Sequence, residues 1–137
     1  MYGKNWKKLI PKKYIKGDHI PNEQLYLHYG AADILLNDHW SDMRKHGFVS
    51  NRIFDGLACG AFIITDKVEG AGELEAFLGT YETKSELLNT IEYYLNHPDE
   101  RLEKSKKGME YVLKGHTFKE RAEQLSNGIK VIMESYI

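Results

Sequence analysis

Cysteine, proline and long apolar runs are scarce in this sequence. Its 137 residues include one cysteine and three prolines. A single thiol, Cys59, excludes an internal disulfide and a cysteine-rich zinc site. Apolar residues nowhere run for the roughly 18 positions that a membrane-spanning helix needs. The lysine-rich N-terminus also lacks the apolar stretch of a secretory signal. These absences together predict a cytoplasmic protein.

An excess of charge of either sign is also missing. Lys and Arg number 19 and Asp and Glu number 20, for a net charge of -1. Domains that bind nucleic acid through bulk charge are clearly basic, so no nucleic-acid partner is expected. Hydrophobic residues make up 42% of the chain and charged residues 28%, as in an ordinary globular protein. The length predicts a single domain over residues 1–137.

Short aliphatic runs alternate with helical patterns along the chain. Residues 33–37 and 61–65 predict buried strands, and Thr80-Tyr81 predicts a brief third strand. Both runs have consecutive apolar residues and not an alternating pattern, which is typical of a parallel sheet covered by helices on both faces. The predicted fold is an α/β, Rossmann-like three-layer parallel sheet with a helical C-terminal third. Its helices are expected to begin at Pro21, Ser50, Thr83, Pro98 and Thr117.

The carboxyl ends of the two aliphatic strands predict the place of a ligand site, because open α/β sheets bind ligands there. One strand opens into the polar stretch 38–49, and the other opens at Asp66 into the loop 67–73. The helix that begins near Ser50 lies between them in the chain. The unpaired amides and the dipole at the N-terminus of a helix attract anions.

The residues around that helix start suit a diphosphate. Gly47 allows the backbone to approach a ligand closely. Ser50, Asn51 and Arg52 then supply a hydroxyl, an amide and a planar cation that matches phosphate geometry. Asp55 lies one turn beyond Asn51 on the same helix face. Its carboxylate could accept hydrogen bonds from ribose hydroxyls, or it could be an exposed aspartate without a ligand.

Other polar and aromatic residues near these strand ends have weaker signals. Glu73 could contact a sugar or simply stand near the start of a helix. Neither His39 nor His46 has a partner at helical spacing, so no metal site is predicted. Trp40 could stack on a base or a sugar, but its place after a strand favours the interpretation that it packs on the core. Cys59 is interpreted as a small buried residue and not as a nucleophile.

Four segments carry a resemblance to a known family. Residues 46–66 read HGFVSNRIFDGLACGAFIITD, similar to the family pattern GxxSNRxFDALACG followed by a strand that ends in aspartate. The other three segments are similar, in order, to the patterns YGxxW, YxxADIxLN and HTFxxR. They are Tyr2–Trp6, Tyr29–Asn37, and His116–Phe118 with Arg121. Over about residues 2–125 the chain therefore resembles the C-terminal, donor-binding domain of group 1 glycosyltransferases with the GT-B fold, in the spore-maturation-type branch.

The resemblance implies a transferase of the hexosyltransferase type. Its donor substrate would be a nucleoside-diphosphate sugar, and catalysis would need no metal. Asp55 matches the second acid of the wider group's motif, which contacts the donor ribose, whereas the first acid has no counterpart here. The implied donor-binding residues are Gly47, Ser50, Asn51, Arg52, Asp55 and Glu73. No catalytic residue is predicted, because the acceptor domain often supplies the base in such enzymes.

The length of the chain predicts a fragment of such an enzyme. Both the acceptor domain and the first strand of the donor domain are expected to be missing, so this chain alone is expected not to transfer sugar. The expected partners are a nucleotide-sugar, the missing acceptor domain, and a second copy paired through an exposed sheet edge. The alternative is a non-catalytic α/β module that binds a nucleotide or phosphate. A receiver-like domain is disfavoured, because Asp66 lacks the acidic pair that such a domain needs.

Overall fold

A computed structural model describes residues 1–135 and contains a parallel sheet at its centre. The described strands are β1 (Leu35–Asn37), β2 (Ile63–Asp66) and β3 (Gly79–Tyr81), in the order β1-β2-β3. Leu35 lies beside Ile63, and Ile64 lies beside Gly79. The predicted α/β fold with a parallel sheet is therefore confirmed. The paired strands are shorter than the apolar runs that predicted them.

Helices fill most of the remaining described chain. The α-helices are α1 (Leu25–Gly30), α2 (Ser41–Lys45), α3 (Asn51–Ala58), α4 (Lys84–Asn96), α5 (Pro98–Gly115) and α6 (Phe118–Glu134). Shorter 3₁₀ segments are Trp6–Lys8, Lys12–Tyr14, Asn22–Gln24 and Glu69–Phe77. Helix α2 was not predicted, since its residues lie in the stretch interpreted as a polar loop. Among residues 1–135, every helix is too short or too polar to cross a lipid bilayer.

Strand β2 lies at the centre of the molecule, with every residue buried. One core cluster packs against one face of the sheet and joins α3, α5 and the segment Glu69–Phe77. Its buried residues are Ile53, Leu57, Ile63, Leu74, Leu78 and Val112. A second cluster of Phe62, Ile64 and Tyr94 joins α4 to the other face. Helices on both faces explain why the strands carry apolar side chains on both sides.

Helix α3 connects the core to the carboxyl edge of the sheet. The Ser50 hydroxyl caps its N-terminus by accepting a hydrogen bond from the Arg52 amide at 3.3 Å. Gly60 follows the last turn at a φ of 75°, a conformation that glycine adopts without strain. A Cβ atom on Gly56 would lie 2.8 Å from side-chain atoms of both Leu35 and Ile63. The missing side chain lets α3 pack closely on β1 and β2.

The helix starts predicted at Thr83 and Thr117 are real, and both carry capping hydrogen bonds. At α6, the Glu120 carboxylate accepts the Thr117 amide at 2.8 Å, and the box is complete. At α4, the Glu86 amide donates to the Thr83 hydroxyl, but the Glu86 carboxylate accepts the Glu82 amide instead of that of Thr83. The bond from the Glu82 amide is the largest cause of a lowered pKa of the Glu86 carboxyl.

Helix α6 has an apolar stripe that no described residue buries. Its residues Ala122, Leu125, Ile129 and Ile132 follow helical spacing, as a core-facing stripe would. In the described structure, all residues from Phe118 to Ser135 are exposed except Glu120, which is half-buried. The sequence therefore predicted the helix correctly, but its apolar stripe forms no part of the core described here.

Candidate functional site

A buried network of polar side chains joins the carboxyl ends of β1 and β2. The Asn37 side-chain amide donates to the Thr65 hydroxyl at 3.0 Å, and that hydroxyl donates to Asp66 Oδ1 at 3.3 Å. Asp66 Oδ1 also accepts the His39 amide at 3.0 Å. These contacts lie at the sheet edge where the sequence predicts a ligand site.

His39 extends the network to the start of α3. Its side chain is fully buried, and the Ser50 amide donates to its Nε2 at 3.1 Å. Because Nε2 accepts this bond, the neutral ring carries its proton on Nδ1. The Nδ1–H group donates a hydrogen bond to Asp66 Oδ1, and the two atoms are 2.6 Å apart. His39 therefore links the end of β2 to the N-cap of α3.

Two arginines lie at the outer side of this network. Arg44, on α2, donates to Asp66 Oδ2 at 3.0 Å, while its side chain stays 51% exposed. Arg52, on α3, is exposed and makes a long 3.4 Å bond to Asn37 Oδ1. Each guanidinium uses one nitrogen in the bond described, and a planar fork of donors remains for a further acceptor. This corner of the protein can hold an anion.

Glycines bring the two predicted site loops into direct contact. Gly47, in the loop before α3, has a φ of 69°. A Cβ atom on Gly70, in the loop after β2, would lie 1.9 Å from the Gly47 carbonyl oxygen. No side chain fits there unless the backbone moves. The close approach of these loops sets the position of the chain that leads into α3.

We predict that Gly70→Ala destabilises the protein by about 1–3 kcal/mol, the usual cost of inserting a group into a packed site. The obstacle is a backbone oxygen, which cannot turn aside as a flexible side chain does. Gly128→Ala is the control: a Cβ atom there meets nothing within 4 Å in the described structure, and the change should raise stability by about 0.5–1 kcal/mol because Gly128 lies inside α6. Urea denaturation of both variants checks the prediction, and equal midpoints for the two would contradict it.

A groove on the other side of α3 contains Asn51 and Asp55, two of the residues predicted from sequence. Its far wall is the junction of α5 and α6, with His116, Thr117 and Arg121. The groove has a volume of about 420 Å³, and its surface is mostly apolar. A compact ligand with a flat ring and a few polar groups would match this lining.

Aromatic rings and one arginine shape the far wall of the groove. The His116 ring lies 5.6 Å from the Phe54 ring and 4.8 Å from the Tyr111 ring, measured between centroids. Arg121 Nη2 donates to His116 Nδ1 at 2.6 Å. Because α6 is otherwise exposed, this bond is one of its few described ties to the end of α5.

The structure divides the predicted site residues among three places. Gly47, Ser50 and Arg52 lie at the carboxyl edge of the sheet, next to the buried network. Asn51 and Asp55 lie in the groove. Glu73 is in neither set, because its carboxylate accepts the Tyr111 hydroxyl at 2.8 Å, which raises the pKa of Tyr111. Its role toward a sugar stays a prediction.

The sequence predicts none of these network members as site residues: Asn37, His39, Arg44, Thr65 and Asp66. It offers His39 only as a metal ligand, and it gives no signal for Arg44 because it does not predict α2. A polar residue two positions after a strand end was the available signal for His39. The interpretation of Trp40 as a core residue is wrong, since its side chain is 82% exposed.

Cys59 follows α3 and is half-buried, so the prediction of a small buried residue holds only in part. Burial raises the pKa of its thiol, and the negative charge of Asp55 raises it further. A nucleophilic cysteine needs the opposite shift, because the thiolate is the reactive form. Among residues 1–135, no group of three or more His, Cys, Asp or Glu side chains could hold a metal ion.

Comparisons with known proteins give two matches. A family model described as "Glycosyl transferase-like" matches residues 1–127. Spore protein CgeB of Bacillus subtilis (strain 168) is 32% identical over 134 residues, which cover 86% of this chain and 42% of that protein. The chain therefore spans less than half the length of this curated relative. No solved structure gives a significant match.

Proposed function

Because this chain belongs to the glycosyl transferase-like family, we propose that it forms the part of a glycosyltransferase that binds the nucleoside-diphosphate sugar donor. In this proposal the nucleoside occupies the groove beside α3, and the diphosphate lies at the first turn of the same helix. In this proposal the acceptor binds outside the groove and the first turn of α3.

The observation that carries the proposal is the groove with Asn51 and Asp55 on one wall and the α5–α6 junction on the other. The exposed Asp55 carboxylate can accept hydrogen bonds from both vicinal hydroxyls of a ribose. The rings of Phe54 and His116, together with the exposed Phe118, offer apolar faces for a base. Arg121 adds a cation at the same wall.

The spacing along α3 supports a diphosphate next to that ribose. Asp55 lies four positions after Asn51, a distance of about 6 Å along a helix. A ribose is joined to its diphosphate through a single exocyclic carbon, so the two subsites must be neighbours. At the first turn, the Ser50 amide is bound to His39 and the Arg52 amide to the Ser50 hydroxyl. The Asn51 amide and the Arg52 side chain supply the donors for phosphate.

Substitution of Asp55 tests the placement of the ribose. Asp55→Ala is expected to weaken a nucleoside diphosphate about tenfold, the effect of losing hydrogen bonds to a charged group. Inorganic pyrophosphate lacks ribose, so its affinity should stay unchanged. Titration calorimetry with both ligands measures the difference, with Asp99→Ala, at the exposed start of α5, as the control.

Two outcomes count against the proposal, the first from this titration and the second from a titration of the wild type with a nucleotide-sugar and with its bare diphosphate. If Asp55→Ala weakened the binding of both ligands equally, Asp55 would not be the residue that binds the ribose. A nucleotide-sugar that binds no better than its bare diphosphate would favour the second candidate function, a non-catalytic nucleotide-binding module. That candidate uses the same groove and the same helix turn, and it differs only in leaving the sugar without contacts.

A further inference from the structure

His39 is a fully buried polar side chain for which the proposed donor site has no direct use. Both of its ring nitrogens are engaged, since Nδ1 donates to Asp66 and Nε2 accepts the Ser50 amide. Burying an imidazole without partners is costly, so these two bonds fix the ring in one orientation and one tautomer. Asp66 at the end of β2 therefore fixes the ring, and the ring fixes Ser50 at the start of α3.

The position of Ser50 decides which groups the first turn of α3 presents. Its hydroxyl accepts the Arg52 amide, and its carbonyl accepts the Ile53 amide at 3.0 Å. Its own amide is turned inward to His39 and is therefore removed from the set of ligand donors. The Asn51 amide, the next along the chain, has no acceptor among the described hydrogen bonds. The fixed position of Ser50 therefore sets the orientation of the Asn51 amide, which is the donor proposed to bind phosphate.

The strand end to which His39 is anchored is itself held by several hydrogen bonds. Asp66 Oδ1 accepts the backbone amide of His39 in addition to its ring, so the carboxylate holds this residue twice. Arg44 binds the other carboxylate oxygen, and Thr65 ties Asp66 to Asn37 on the neighbouring strand. A movement of the helix start relative to the sheet would have to break the Ser50–His39 bond.

We propose that His39 is a positioning residue for the donor diphosphate: it receives the Ser50 amide at Nε2, is anchored by Asp66 at Nδ1, and so fixes the first turn of α3 for phosphate. The inference rests on the proposed donor function. His39 itself touches no ligand and transfers no proton. Its contribution is to spare the ligand the cost of ordering the helix start, which is the general gain from preorganisation.

Two variants separate the two bonds of the ring. In His39→Gln, the side-chain oxygen can reach the position of Nε2 and accept the Ser50 amide. In His39→Asn, the shorter side chain can place its NH2 group near the position of Nδ1 and donate to Asp66, but it cannot reach Ser50. Both substitutions are polar and both shrink the buried ring, so a general loss of packing should affect them alike.

The test measures hydrogen exchange at the Ser50 amide and the affinity for UDP, GDP and ADP in the wild type and both variants. We expect protection of the Ser50 amide to persist in His39→Gln and to be lost in His39→Asn. The nucleotide that the wild type binds should bind His39→Asn about tenfold more weakly, whereas His39→Gln should stay within about threefold of the wild type. Imidazole ¹⁵N spectra of the wild type should show Nδ1 protonated and Nε2 unprotonated.

The outcomes that overturn this inference differ from those that overturn the proposed function. Equal affinities of the Asn and Gln variants, with the wild type still binding a nucleotide, would remove the positioning role and leave the donor site in place. An Nε2-protonated ring would do the same. No binding of any nucleotide to the wild type would overturn the donor function and this inference with it.

Discussion

Asp66→Ala is expected to destabilise the protein by about 3 kcal/mol, because it removes the acceptor for several donors at once. The Asp66 carboxylate accepts the amide and ring of His39, and it also binds Arg44. The His39 side chain is fully buried, and that of Asp66 is only 6% exposed. Buried donors left without partners carry their full desolvation cost, and water cannot replace the carboxylate without opening the sheet edge.

Urea denaturation of the wild type and of Asp66→Ala measures this effect as a change in midpoint at constant slope. Asp66→Asn should lose less stability than Asp66→Ala, since the carbonyl oxygen of the asparagine still accepts from His39 while its NH2 group faces Arg44. Asp38→Ala is the matched control, an exposed aspartate just past β1, and should stay within about 0.5 kcal/mol of the wild type. If Asp66→Ala were as stable as Asp38→Ala, the network would not hold the sheet edge together.

Arg52→Ala is expected to weaken a bound nucleoside diphosphate by about 1.5–3 kcal/mol, or roughly 10- to 150-fold in dissociation constant. Hydrogen bonds between a guanidinium and phosphate are charge-assisted and stronger than neutral ones. The same substitution should cost little stability. Arg52 is exposed, and its described side-chain bond is the long 3.4 Å contact with Asn37.

Affinity and melting temperature must be measured together on Arg52→Ala to separate binding from folding. Lys106→Ala, which removes one exposed positive charge on α5, controls for the change in net charge. Normal binding combined with much earlier melting would identify Arg52 as a structural residue of the Asn37 network. If Lys106→Ala weakened nucleotide binding by a similar amount, the effect of Arg52→Ala would be explained by long-range electrostatics. High salt would then abolish the difference in affinity.

The strands were predictable from sequence because their signal is local. The runs at residues 33–37 and 61–65 are short and aliphatic, and both contain real strands. Their bounds were not predictable, since apolar character reports burial whereas a strand ends where the residue-by-residue pairing ends. Phe62, for example, is buried beneath α4 and its carbonyl accepts the Leu35 amide at 2.8 Å, but it lies just before Ile63, the first residue of β2. Helix α2 escaped prediction because its five residues, SDMRK, have no apolar periodicity.

The start of α3 was predictable for a similar reason. Ser50 is a common N-cap residue and is followed by apolar residues at helical spacing. Gly47 precedes it in the loop, and Asp66 ends the strand that follows the helix. The role of His39 was not predictable. Its partners, Asp66 and Ser50, are 27 and 11 residues away in the chain. Its position two residues after a strand end is the one local signal, and that signal does not distinguish a buried histidine held between two elements from an exposed one.

The groove depends on packing that no local pattern encodes. Asn51 and Asp55 meet the α5–α6 junction because α5 packs closely on α3. A Cβ atom on Gly108 would lie 2.7 Å from Leu57 and 3.0 Å from Phe77, so this glycine permits the approach. The resemblance of residues 116–121 to a family pattern marked the segment as notable. It did not indicate that this segment faces Asp55.

Ligand-observed NMR on the unmodified chain tests the central claim most directly, with UDP, GDP, ADP, their common sugar conjugates and inorganic pyrophosphate as ligands. The donor-site account predicts that one nucleoside diphosphate binds in preference to the other two. It also predicts that a sugar conjugate of that nucleotide binds more tightly than the bare diphosphate. Binding of none of these ligands, or of pyrophosphate as tightly as any nucleotide, would contradict the assignment of a nucleotide-sugar donor site to α3 and its groove.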